Sequence, residues 1–204
     1  MPQDSVPTVE VISTAPVKLD LACGQNQRPG FKGVDLFTGE PRVDLLAFPW
    51  PWADASVDEV VCSHFVEHIP MGYLDLDVPG AVHVLPGLRR KDLFFAFFDE
   101  LYRVLKPGGR AEILVPYLRS NRAFQDPTHR RFLCEESFLY LNAEWRKANG
   151  LDHYGPACDF VFAPGSPQRV VDQSESVRHP EVVQQRMMGL WNVILDVKVD
   201  LVKR

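Results

Sequence analysis

No stretch of this sequence approaches the roughly 18 consecutive apolar residues that a membrane-spanning helix requires, so none is expected. A basic start and a long apolar core are missing from residues 1–16, where Asp4 and Glu10 stand instead, and a secretory signal is not expected. Basic residues are not in excess. With 22 Lys and Arg against 27 Asp and Glu, the formal charge is −5, which argues against the diffuse positive surface of a nucleic-acid binder. Cysteine is scarce: Cys23, Cys62, Cys134 and Cys158 contain no C-x-x-C pair, so free thiols in a reducing compartment are expected, and with them a cytoplasmic location. Internal repeats, low-complexity tracts and an evident catalytic triad are also missing.

What is present is a chain of 204 residues, 46% hydrophobic, enough for one sizeable core and too short for two ordinary domains. Proline is plentiful and clustered. Pro2, Pro7 and Pro16 suggest a flexible N-terminal tail over 1–16, ahead of a single domain over 17–204. Pro49 and Pro51 mark a loop, and Pro70, Pro79 and Pro86 fall in one long connection.

Residues 17–21 form a short apolar run that ends in Ala22-Cys23-Gly24, which predicts a buried strand and a glycine turn. Further strands are expected over 31–37, 42–46, 57–62 and 111–115, with late strands over 159–163 and 193–202. Residues 92–105 predict a helix. Asp92 would cap it, Leu93, Phe94, Phe97, Phe98, Leu101, Val104 and Leu105 share one apolar face, and Pro107-Gly108-Gly109 stops it. A second helix is expected over 135–147. Strands alternating with helices imply an α/β fold whose ligand sits beyond the carboxyl ends of the strands, at the topological switch point. That points to residues 20–30, Asp35, Asp44-Leu45 and residues 63–68.

At those places the chain carries, in order, Asp20-Leu21-Ala22-Cys23-Gly24, Val34-Asp35-Leu36, residues 48–60 (Phe-Pro-Trp-Pro-Trp-Ala-Asp-Ala-Ser-Val-Asp-Glu-Val), Phe65-Val66-Glu67-His68-Ile69 and Leu105-Lys106-Pro107-Gly108-Gly109-Arg110. Together these resemble a class I S-adenosylmethionine (SAM)-dependent methyltransferase of the type 11 kind, over roughly 17–116 and more loosely to the C-terminus. The resemblance implies a Rossmann-like, seven-stranded, mostly parallel sheet with helices on both faces and an antiparallel last strand.

It also implies SAM as cofactor. Asp20, Ala22, Cys23 and Gly24 would line its methionine end, Asp35 with Leu36 its ribose, and Asp44 with Leu45 its adenine. Ser63 and His64 would stand near the transferring methyl. Asp58 would be structural, and 106–109 would turn away from the cofactor. Ala22 and Asn26 replace glycines common in the family, and Asp20 to Asp35 is so short a span that the first crossover reads as a loop.

Three features bear on the acceptor. Asp126-Pro127-Thr128-His129 follows the fifth strand, so Asp126 and His129 join His64 as base candidates, although Asp126 also reads as a helix cap. Arg119, Arg122, Arg130 and Arg131 would suit an anionic acceptor or a solvated face. Residues 69–91 are long for a connection and would cover the acceptor pocket. Trp50 and Trp52 would shield the adenine site or pack in the core.

His64-Phe65-Val66-Glu67-His68 also spells H-x-x-E-H, a zinc-peptidase motif, but no third ligand suggests itself and the resemblance accounts for the same residues, so no metal is expected. The expected activity is methyl transfer to a small or medium-sized acceptor, a sugar or other metabolite, with no nucleic acid or membrane partner and an oligomer left open. The alternatives are a catalytically silent SAM-binding partner subunit, a nucleic-acid or protein methyltransferase and, remotely, a zinc hydrolase.

Overall fold

Four apolar or half-apolar runs become parallel strands. In the computed structural model, which describes residues 15–78, 80–83 and 90–204, they are β1 (Lys18–Leu21), β2 (Lys32–Val34), β3 (Val57–Ser63) and β7 (Leu105–Pro116). Between β3 and β7 lie β4 (Tyr73–Asp75), β5 (Val82–His83), β6 (Arg90–Asp92) and helix α1 (Leu93–Val104). After β7 come the short helices α2 (Arg122–Gln125) and α3 (Ala143–Ala148), strands β8 (Phe160–Phe162) and β9 (Gln168–Val171), helix α4 (Pro180–Gly189) and strand β10 (Ile194–Lys203).

The main sheet has seven strands in the order β2-β1-β3-β7-β10-β8, with β9 also paired to β10. β1, β2, β3 and β7 are mutually parallel, whereas β10 runs antiparallel to β7, β8 and β9. Six strands therefore run one way and the last runs against them, as expected. From β1 the chain steps outward to β2 and returns on the other side at β3, so the switch point lies at the carboxyl ends of β1 and β3.

Helix α1 forms where the apolar period dictates. Asp92 caps it by accepting the backbone N–H of Phe94 at 2.8 Å, and Phe97, Phe98, Leu101 and Val104 are fully buried against the sheet. Each such side chain contributes roughly 1.5–3 kcal/mol of burial. The chain turns extended at Leu105 and passes straight into β7. Lys106 to Gly109 have no partner in β3, because the register steps from Val57↔Leu105 to Glu59↔Arg110. Gly108 takes φ +75° there. Lys106 instead grips Asp58 at 2.7 Å, which makes Asp58 structural as expected.

Several elements differ from expectation. The strand expected over 42–46 shrinks to a single parallel bridge, Asp35↔Arg42, because Asp44 turns the chain by accepting the N–H of Leu46. The helix expected over 135–147 breaks into a 3-10 segment (Glu135–Leu141) and α3 at Asn142, whose side chain accepts from Trp145 N and donates to Phe160 O. Asp126 does not start a helix; it follows the end of α2. β9 and α4 carry no clear sequence signal, and α4 buries no residue. The first crossover, residues 22–31, contains no helix, as its length suggested. All four cysteines are free. No helix among the described residues is long and apolar enough to cross a membrane. The tail expected over 1–16 falls almost wholly outside the described residues.

Candidate active site

The register Leu21↔Cys62 places the exits of β1 and β3 side by side. The turn after β1 is tight. Ala22 and Gly24 both take left-handed backbone, at φ +53° and +52°, and on the other side His64 does the same at +54°. For Ala22 and His64 this conformation is strained, and such strain collects at functional sites.

The two exits enclose a cavity of about 360 Å³ lined by Asp20, Ala22, Cys23, Ser63 and His64 together with Asn26, Arg28 and Glu112. Its volume falls in the range of small-molecule sites, roughly 300–1,000 Å³. Asp20 is 5% exposed and accepts the backbone N–H of Arg28 at 2.6 Å. The Arg28 guanidinium pairs with Glu112 at 2.5 Å. Burial works to raise the Glu112 carboxyl, but Arg28 outweighs it and holds the group below its usual range. Glu112 was not anticipated, and Arg28 only as part of the span 20–30. The one signal for Glu112 is a charge interrupting an otherwise apolar strand, Ala111-Glu112-Ile113.

Cys23 also borders a second cavity, of about 570 Å³, with Gly24, Gln27, Thr38 and Gly39. Asp35 stands beside it. Its Oδ1 accepts the N–H groups of Phe37 at 2.7 Å and Thr38 at 2.9 Å, and its Oδ2 accepts that of Gly24 at 3.3 Å. Burial pushes the Asp35 carboxyl up, but these N–H groups outweigh it and set it below the usual carboxylate range. Gly39 is required here, since a Cβ would fall 2.0 Å from Asp35 N. Leu36 and Phe37 next to it are exposed.

The expected adenine pair is not brought to this place. Asp44 is exposed and lines a separate cavity with Phe48, Leu74 and Val82, while Leu45 is buried in the core and its carbonyl accepts the indole N–H of Trp50. Trp50 is itself core, packed edge-on against Trp52 and Phe97. The described part of 69–91 meets the loop over 44–49, and none of it lines the cavity between β1 and β3.

His64, Asp126 and His129 do not converge on one point. His64 is at the cavity, 42% exposed, with Nδ1 3.3 Å from Glu67 Oε1. The Glu67 hydrogen bond raises its pKa, against the effect of burial. Asp126 is turned onto Thr128, accepting both its N–H and its hydroxyl at 2.7 Å, and these contacts lower its pKa. His129 is mostly buried; its Nδ1 lies 3.0 Å from the Ala123 carbonyl. The four arginines are spent on structure. Arg119 reaches Met187 O and Met188 O, Arg122 pairs with Asp196, Arg130 reaches Pro127 O, and Arg131 ties Ile69 O and Pro70 O to Asp92.

No family model matches the sequence, and no curated protein does. Solved structures do. A SAM-dependent methyltransferase from Archaeoglobus fulgidus aligns over 93% of this chain and 87% of its own, with a TM-score of 0.50 and 17% identity. An S-adenosylmethionine-dependent methyltransferase from Mesorhizobium loti aligns over 92% of this chain and 90% of its own, with a TM-score of 0.46 and 12% identity. The chain has the Rossmann-like fold of the class I SAM-dependent methyltransferases.

Proposed function

We propose that the chain is a single-domain, cytoplasmic SAM-dependent methyltransferase acting on a small or medium-sized acceptor such as a sugar or another metabolite. Fold alone does not fix function, so the reading rests on the site. The observation that carries it is the meeting of Asp20, Ala22, Cys23, Ser63 and His64 around one cavity at the switch point, with the ionised Asp35 alongside.

The residues fit the group. The left-handed turn at Ala22 and Gly24 lets backbone approach a ligand closely. Asp20 and Glu112 offer negative charge to an ammonium or sulfonium, and Arg28 offers positive charge to a carboxylate. Asp35 Oδ2 retains accepting capacity for ribose hydroxyls. The exposed Leu36 and Phe37 offer the apolar surface a purine needs, in place of Asp44 and Leu45.

SAM supplies an activated methyl on a sulfonium. Ser63 and His64 close the cavity on the β3 side and hold the acceptor in line. His64 takes the acceptor proton if the acceptor is a hydroxyl, since among the three candidates it alone lines the cavity.

Calorimetric titration of SAM and S-adenosylhomocysteine into the purified protein tests this. Micromolar binding of both is expected. A folded protein that binds neither would refute the reading.

A further inference from the structure

We propose that Glu67, His68 and His129 form a binding site for a divalent transition-metal ion of the zinc class, beside the cavity between β1 and β3. Among the described residues, one potential ligand atom from each of these three side chains lies within 4.8 Å of the others. Two imidazoles and a carboxylate are a ligand set used by zinc and by non-haem iron, with positions left open for water or a substrate oxygen.

Glu67 carries the first argument. It is 1% exposed, and its Oε2 is one of two buried side-chain oxygens or nitrogens among the described residues without a hydrogen-bond partner. Leaving such an oxygen buried and unpaired is costly, the more so when it is charged. A cation offsets that cost.

The second argument is the state of the two histidines. A carbonyl only accepts, so His129 Nδ1 donates to Ala123 O at 3.0 Å, and in the neutral ring its Nε2 carries the lone pair. Thr128 gives its one hydroxyl hydrogen to Asp126 Oδ1 at 2.7 Å, so it must accept from His68 Nδ1 at 3.0 Å, and His68 Nε2 is bare as well. Metal-binding histidines are fixed in this manner, by a hydrogen bond from the other ring nitrogen. With the ring neutral, His129 Nε2 faces Glu67 Oε1 across 4.0 Å, acceptor against acceptor. A tetrahedral ion with bonds of roughly 2.0–2.2 Å sets its ligand atoms about 3.3–3.6 Å apart, so this pair would draw in by roughly 0.5 Å from 4.0 Å.

The proposal departs from the expectation of no metal, and it is a different site from the one the H-x-x-E-H motif suggests. That motif would use His64 and His68 on one helical face, with Glu67 as base. Here Val66–His68 is a single 3-10 turn, and the third ligand comes from a loop held by Arg130 N and Arg131 N on Glu67 O at 2.8 and 3.0 Å. Because Glu67 Oε1 also lies 3.3 Å from His64 Nδ1, the ion would stand at the margin of the cavity, where an acceptor hydroxyl or carboxylate oxygen can reach it. That use rests on the methyl-transfer reading; the site does not.

The test is titration of Zn²⁺ by calorimetry, and of Co²⁺ by visible absorption, into the chelator-stripped 204-residue chain. One ion per chain is expected, with a visible Co²⁺ band. Losing a group that hydrogen-bonds a metal-binding side chain typically costs about 10–100-fold in affinity, so Thr128→Val should weaken binding about 10-fold, and loss of a ligand itself in His129→Ala or Glu67→Gln on the order of 100-fold or more. Circular dichroism checks the fold of each variant. A folded wild-type chain with no stoichiometric Zn²⁺ or Co²⁺ would overturn the proposal. So would binding that survives His129→Ala but is lost in His64→Ala. SAM titration of the same protein keeps the two readings apart, since SAM binding in a chain that takes up no stoichiometric Zn²⁺ or Co²⁺ sinks only this one.

Discussion

Asp35 offers the sharpest test of the proposed cofactor site, because its two oxygens do different work. Oδ1 holds the loop through Phe37 N and Thr38 N, while Oδ2 has one long contact, 3.3 Å to Gly24 N, and room for a ligand hydroxyl. Asp35→Asn keeps a neutral Oδ1 acceptor and removes the charge and the acceptor at Oδ2. The loop bonds lie near the surface, so stability should fall by about 1 kcal/mol. A hydrogen bond to a charged group is worth roughly 1.5–3 kcal/mol, and 1.4 kcal/mol is tenfold, so S-adenosylhomocysteine should bind about 10–100-fold more weakly.

Asp35→Ala also removes the loop acceptor and should lose a further ~1–2 kcal/mol of stability with a similar loss of affinity. Calorimetry at pH 7 with a parallel denaturant melt separates the two effects. The sign of the pH dependence follows from the depressed carboxyl. Its contribution is present above the unfolded value, near 3.9, and is lost only as pH falls through the lower folded value, so on its account affinity should be level from pH 8 to about pH 5. If Asp35→Asn binds S-adenosylhomocysteine within twofold of wild type, Asp35 does not hold the ribose and the assignment of this end of the site fails.

Two other outcomes follow from the packing. Glu100 is 8% exposed and is held by Arg103, whose guanidinium also bonds Asp54 and the carbonyls of Trp50 and Trp52. Arg103→Met strands that carboxylate and should cost about 2–4 kcal/mol in urea unfolding, much of it recovered in the double variant with Glu100→Gln; a loss under about 1 kcal/mol would refute the buried-pair argument. Ala22→Gly relieves a left-handed backbone worth roughly 1–2 kcal/mol and gives back part of it through the freer unfolded chain, so a gain of about 0.5 kcal/mol is expected, and a clear loss would count against strain at that turn.

The parts of the fold that could be read from sequence are those where local pattern and tertiary environment agree. The α1 stripe has a helical period, an Asp92 cap and a proline stop, and it was legible to within a residue at each end. β3 and β10 were legible because a strand flanked on both sides must be apolar on its inner face. The segment 42–46 looks much like them. There Asp44 bonds the chain two residues on and turns it, so one bridge remains where a strand was expected. Asn142 acts in the same way inside a helical pattern, capping the next helix more favourably than it continues the last.

The site divides along the same line. Asp20, Ala22, Cys23, Ser63 and His64 come together because each stands at or just past the carboxyl end of β1 or β3, and parallel strands bring their ends together whatever the intervening chain does. Asp44 and Leu45 were placed by the same rule and lie apart from that cavity, because without a third strand nothing carries them to that edge. His129 is harder still. It lies 62 residues from Glu67, and the two meet because Arg130 N and Arg131 N clamp the later loop onto the Glu67 carbonyl. Backbone donors carry no sequence signature, so no spacing rule could pair these side chains. A motif five residues long contains two of the three proposed ligands, Glu67 and His68, and its own first histidine, His64, faces the cavity instead.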